Sequence, residues 1–246
     1  MYTSSLGGDP GMTHIIEVEA VTFRYRRPAQ SVFHELSIAF AAQKATCILG
    51  HNGAGKTTLL KLIYGLLRPQ KGRVSIDGTQ IHNYRDIFLL SERFGLNLEL
   101  SLRENLNFRA RLLHEDVTTI LGNPLIHEFK LGKQLDKPTG KLSAGYFTRA
   151  NIVAGLVFAP RLLLLDEPTN SVDPATRELL LSTLAGQRDL GVTMLLVTHD
   201  IDFAYSLGDR LLVFDEGELV IDDADPHRST VEEFRRDYID FTERTE

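Results

Sequence analysis

The sequence predicts an α/β fold with a phosphate-loop core: a mainly parallel sheet, an N-terminal antiparallel β subdomain and an inserted helical subdomain. Three features predict it. The apolar run KATCILG leads straight into Gly50-His51-Asn52-Gly53-Ala54-Gly55-Lys56-Thr57-Thr58 and then into the amphipathic LLKLIYGLL, a strand, a loop and a helix in series. The runs RLLLLDEP and VTMLLVTHD are continuously apolar and end in polar residues, as strands buried on both faces of a parallel sheet do. Between them, RELLLSTLAGQRDLG has helical spacing and the length that a parallel crossover needs.

In chain order, residues 1–13 are small, polar and glycine-rich and read as a flexible extension. The body is expected to span residues 14–230. IIEVEAVTFRY and SVFHELSIAF alternate as strands with one buried face do, and should pair antiparallel. GRVSIDG adds a short strand between two glycines. From about Ser91 to Ala159 the pattern turns mainly helical, clearest in SLRENLNFRARLL and AGYFTRANIVAGLVFA. After the two apolar runs, whose carboxyl ends are where ligands of parallel sheets gather, DRLLVFDEGELVIDD reads as a hairpin about Glu216 and Gly217. The charged tail, 231–246, reads as a helix with a frayed end.

A chain of 246 residues can bury a substantial core as one large domain or two small lobes. Its 43% hydrophobic and 24% charged residues are ordinary globular usage, which excludes disordered, collagenous and disulfide-built proteins. The 27 Lys and Arg against 33 Asp and Glu leave a net charge of −6, wrong for a surface that neutralises nucleic-acid phosphates, so no nucleic-acid partner is expected. Cys47 is the single cysteine, so no intrachain disulfide forms and a reducing compartment fits. No stretch approaches the roughly 18 apolar residues of a membrane helix, and the start lacks a charged-then-apolar signal pattern. Any link to a membrane is expected to run through a partner.

The stretch from Gly50 to Thr58 satisfies G-x-x-x-x-G-K-[ST]. Its backbone N–H groups and the positive end of the following helix can wrap a phosphate chain. Lys56 would reach the β and γ phosphates, and Thr57 would place its hydroxyl on Mg²⁺. Asp166, ending the first apolar run, suits a water-mediated Mg²⁺ contact, and Glu167 is placed to orient or deprotonate an attacking water.

With these residues in this order, the chain resembles the ATP-binding subunits of ABC (ATP-binding cassette) transporters from about Ile15 to Asp223. Leu142-Ser143-Ala144-Gly145-Tyr146 is similar to the family's signature motif, and His199 in LLVTHD to its switch histidine. Asp173 in NSVDP is similar to the loop that links two active sites, and Tyr25 to the aromatic residue that stacks on adenine. By themselves Ser143 would read as a helix cap, Asp173 as turn chemistry and Tyr25 as an edge-strand tyrosine. The resemblance implies an ATPase using ATP and Mg²⁺, with Glu167, His199 and Lys56 catalytic. It implies nucleotide contacts from Tyr25, the loop Gly50 to Thr58, Ser143, Gly145 and Asp173, with Thr57 and Asp166 holding the metal. Neither chain would hold a complete site, because the signature of one subunit meets the γ-phosphate bound to the other. A second ATP-binding subunit, identical or related, is therefore an expected partner.

Three departures from the family pattern matter. Glu92 stands where a glutamine is usual; its carboxylate could ligate a hard cation, or the residue could be a solvated surface glutamate. Ala144 and Tyr146 replace glycine and glutamine in the signature, while Gln43 replaces a turn glycine and is expected to change hairpin geometry more than chemistry. The resemblance also implies separate integral membrane permease subunits, docked on the helical segment at the cytoplasmic face of the cell membrane. Glu92, the stretch GLNLELSLRENL and the altered signature resemble ATPases that serve exporters, so export is the expected direction. Two alternatives are a soluble single-cassette ATPase acting in assembly or regulation, and a non-hydrolysing nucleotide-binding module.

Overall fold

The computed structural model describes residues 13–26, 29–82, 84–91 and 95–242. The first two alternating segments form β1 (His14–Arg26) and β2 (Ala29–Ala41), paired antiparallel. Strand side chains face the core every second residue, yet Val18 and Val21, three apart, are both buried. Ala20 lies between them with φ of 45°, and the pairing register shifts across it. One residue thus bulges out and restores the phase.

The wholly buried β3 (Ala45–Leu49) feeds α1 (Lys56–Tyr64), which Gly65 ends in a left-handed conformation. Ahead of β3, Gln43 has φ of 58°, so the turn takes the conformation glycine favours and the substitution is carried as about 1–2 kcal/mol of backbone strain. Its N–H donates to Thr193 Oγ1 at 2.9 Å. β4 (Lys71–Ile76) returns to the other edge of β1, giving an antiparallel sheet ordered β2-β1-β4.

After β5 (Ile87–Leu90), the described residues carry α2 (Leu102–Leu113), α3 (Val117–Leu121), α4 (Pro124–Glu128) and α5 (Ala144–Leu156). A capping box starts α2: Ser101 Oγ accepts from the Glu104 N–H at 3.2 Å, and Glu104 accepts from the Ser101 N–H at 2.8 Å. The chain then runs through β6 (Leu162–Asp166), α6 (Pro174–Asp189), β7 (Thr193–Val197), α7 (Ile201–Leu207), β8 (Arg210–Asp215), β9 (Glu218–Asp223) and α8 (Val231–Thr242). Glu216 and Gly217, at φ 42° and 85°, make the two-residue β8–β9 turn, whose paired positive φ values match strand twist.

The second sheet is ordered β5-β6-β7-β3-β8-β9, parallel except for β9. Alternate residues of its central strands serve two cores. Leu164, Leu195 and Phe214 join a cluster with β1, β2 and α1. Leu165, Leu196 and Val213 join another with residues of α5, α6 and α7. Burial on both faces is why these runs carry no polar interruption. Cys47 is buried in the second of these clusters, and burial pushes its thiol well above the ordinary range, so it packs as a small apolar residue. Among the described residues, no helix is long and apolar enough to cross a membrane. The order of strands sets the ends of β3, β7 and β6 side by side, where their following loops meet.

Candidate nucleotide site

β3 runs directly into the phosphate loop. Gly50 has φ of 141°, and a Cβ there would lie 2.1 Å from the Phe214 carbonyl oxygen, so the loop packs flat on the end of β8. Gly55 precedes α1 in a left-handed conformation, and no side chain caps the helix start. The first N–H groups of α1 are therefore left for a ligand, at the positive end of the helix. A cavity of about 200 Å³ opens over them, lined by the loop from Asn52 to Thr58, by Tyr25, Gln30 and Val32, and by Glu167 and Val197.

Lys56 is 6% exposed, and its Nζ donates to the carbonyl oxygens of Gly50 at 2.6 Å and His51 at 2.8 Å. Burial pushes its pKa below the ordinary value, against the charges of Glu167 and Asp166. The cation is held over the loop it serves. Thr57 Oγ1 donates to Asp166 Oδ1 at 2.8 Å. Burial raises the Asp166 pKa, the Thr57 hydrogen bond opposes the rise, and the Glu167 charge adds to it. A hydroxyl and a half-buried carboxylate are hard oxygen donors of the kind Mg²⁺ takes beside phosphate and water, and a cation would relieve the cost of burying that charge.

Glu167 takes φ of 50°, a strained conformation for a non-glycine residue, and is fixed there by its N–H donating to the Val197 carbonyl at 2.9 Å. Its Oε2 lies 3.0 Å from Nδ1 of His199, whose side chain is exposed. On the cavity's other side, the hydroxyls of Tyr25 and Thr58 are 3.1 Å apart, and the Phe23 ring packs edge-on against Tyr25 at 5.0 Å. The tyrosine ring is thereby set as a wall of the cavity.

The remaining sequence-derived residues lie elsewhere. Ser143 is an exposed cap of α5, its Oγ 3.4 Å from the Tyr146 nitrogen. A Cβ on Gly145 would lie 2.9 Å from the Ser171 carbonyl oxygen. Asp173 caps α6, accepting from the Thr176 N–H at 3.0 Å, and pairs with Arg149 of α5. None of Ser143, Gly145 and Asp173 lines the cavity. Glu92 lies outside the described residues.

The sequence model of the family described as ABC transporter matches residues 33–170, just over half of the chain. The chain is a member of the ABC transporter ATP-binding family. It is 34% identical over 224 residues to the cobalt import ATP-binding protein CbiO of Rhodobacter capsulatus, covering 87% of this chain and 80% of that protein. It is also 34% identical over 212 residues to the Nod factor export ATP-binding protein I of Burkholderia lata, covering 82% and 69%. Among solved structures, an ATP-binding subunit of an ABC transporter superposes with a TM-score of 0.76 at 27% identity, covering 91% of this chain and 93% of that one. CbiO1 of Clostridium perfringens, part of the transporter complex CbiONQ, gives 0.69 at 26% identity, covering 87% and 90%. As an ABC ATP-binding subunit, the chain binds ATP and couples its hydrolysis to transport.

Within this ABC fold, sequence reasoning missed Gln30 and Val32 in the cavity wall, Asp215 against His51, and Arg149 against Asp173. Gln30 pairs with Tyr25 across β1 and β2, a register that no local pattern reveals.

Proposed function

We propose that this ABC ATPase acts as one half of a head-to-tail pair that closes around two ATP molecules and drives export through separate membrane subunits at the cytoplasmic face. The observation that carries the pairing is that Ser143, Gly145 and Asp173 lie outside the cavity formed by their own chain. Ser143 sits exposed at the start of α5, where a helix N-terminus favours an anion brought by another chain.

In this reading Lys56 exchanges the carbonyls of Gly50 and His51 for phosphate oxygens, and Tyr25 stacks on adenine. Thr57 and Asp166 would hold Mg²⁺, which supplies charge compensation for the phosphates. Glu167 orients and deprotonates the attacking water, and His199 holds the Glu167 carboxylate by the contact already made. Nucleotide binds the closed pair more tightly than the open subunits, and that difference shifts the population.

Relatives named for cobalt import and for Nod factor export stand at equal identity, so likeness does not set the direction. Export is assigned from Glu92 and the altered signature. The test is capture of Glu167→Gln with Mg-ATP from detergent-solubilised membranes, followed by co-reconstitution of the recovered membrane protein in vesicles. A polytopic membrane protein that stimulates wild-type ATP turnover and moves its substrate away from the ATPase side is expected. Soluble partners alone would replace this reading with the assembly or regulatory ATPase.

A further inference from the structure

The β8–β9 hairpin meets the nucleotide site at three points that the reading above does not use. The Phe214 carbonyl lies against Gly50. At the turn itself, a Cβ on Gly217 would lie 1.6 Å from the Val32 carbonyl oxygen, so the turn presses on a strand that walls the cavity. Between these contacts, Asp215 Oδ1 pairs with His51 Nε2. The other ring nitrogen, Nδ1, lies 2.8 Å from the Asn52 carbonyl oxygen.

Both partners of the ring are acceptors, a carboxylate and a peptide carbonyl. A neutral imidazole has one N–H and serves one of them, whereas the imidazolium serves both. We propose that Asp215 is a positioning residue of the nucleotide site: it holds a doubly donating His51, which fixes the Asn52 carbonyl and so sets the phosphate loop for ATP. Asp215 does not line the cavity and acts through His51 alone.

The charges around the ring agree with the geometry. The Asn52 carbonyl first, and Asp215 next, hold the His51 pKa above its ordinary value, against partial burial and the Lys56 charge. From α8, Tyr238 faces Asp215; burial first, and that carboxylate second, push its hydroxyl up, so it stays neutral. The clamp is therefore complete below the raised titration of His51 and loses one bond as pH rises through it. The inference rests on ATP binding by this site and not on pairing or transport direction.

The test is binding of a fluorescent ATP analogue and steady-state turnover by the full chain, wild type, Asp215→Asn, Asp215→Glu and His51→Gln, from about pH 6 to about pH 9, with ¹⁵N ring shifts following His51. Asp215→Asn is expected to weaken binding about fivefold at the acid end, one hydrogen bond's worth, with kcat changed less than about twofold. It should also flatten the wild-type pH dependence and bring the His51 titration down. His51→Gln should bind as weakly with no pH dependence, and Asp215→Glu should restore the profile. Wild-type affinity and pH profile in Asp215→Asn would overturn the proposal, as would equal loss of kcat and affinity with the profile unchanged. Absence of analogue binding by folded wild-type protein would remove the ATP site and the proposal with it.

Discussion

Nδ1 of His199 and Oε2 of Glu167 lie 3.0 Å apart, joining the carboxylate at the end of β6 to the histidine at the end of β7. In the proposed mechanism Glu167 is the base, so Glu167→Gln, which keeps the shape, should lower turnover by about 10²–10⁴-fold while ATP affinity stays near wild type. Lys56→Ala should lose affinity as well. Phosphate release at saturating Mg-ATP beside equilibrium binding checks both; wild-type turnover in Glu167→Gln would contradict the assignment.

The Tyr25 hydroxyl lies 3.1 Å from that of Thr58, and in the proposed site its ring stacks on the base of the nucleotide. Tyr25→Ala should weaken ATP by about 5- to 100-fold, the range of one lost aromatic stack, and leave tripolyphosphate affinity unchanged. Tyr25→Phe should bind ATP nearly as wild type does. Equal losses for ATP and tripolyphosphate in Tyr25→Ala would mean that the ring only supports the loop.

Asp173 is held at a pKa of about 2, below its ordinary 3.8, first by the Thr176 N–H and hydroxyl and then by Arg149. The depressed value means that the carboxylate stabilises the fold above pH 3.8 and ceases to as pH falls through about 2. Asp173→Ala should therefore lower the urea midpoint at neutral pH, and the gap from wild type should close across that window. A gap that persists at the acid end would assign the effect to packing instead of charge.

The parallel core was legible because burial on both faces forces unbroken apolar strands, and because the phosphate loop joins the strand ending at Leu49 to the helix starting at Lys56 through one contiguous motif that is read locally. The positions of Lys56, Thr57 and Thr58 follow from that local rule. Asp166 meets Thr57 across a separation of 109 residues, a contact the sequence offered only through motif order. The Ala20 bulge was not legible, since β1 and β2 read as plain alternation until their pairing shows the shift. Nor was the β8–β9 brace: Asp215 finds His51 164 residues away, and no periodicity links a strand-end carboxylate to a loop imidazole.

Gly155 packs against Phe88 so closely that a Cβ would lie 2.2 Å from the ring. Gly155→Ala must displace the Phe88 ring or part α5 from β5, and should cost about 1–3 kcal/mol in urea unfolding. An unchanged midpoint would show that α5 is free to shift on the sheet.

If ATP completes its site only between two subunits, Glu167→Gln should pair around Mg-ATP, and light scattering detects that pairing. With Mg-ATP the protein should have twice the mass it has without nucleotide, and Ser143→Arg should abolish the doubling. A Glu167→Gln protein that binds Mg-ATP and stays monomeric at every concentration would contradict the shared site.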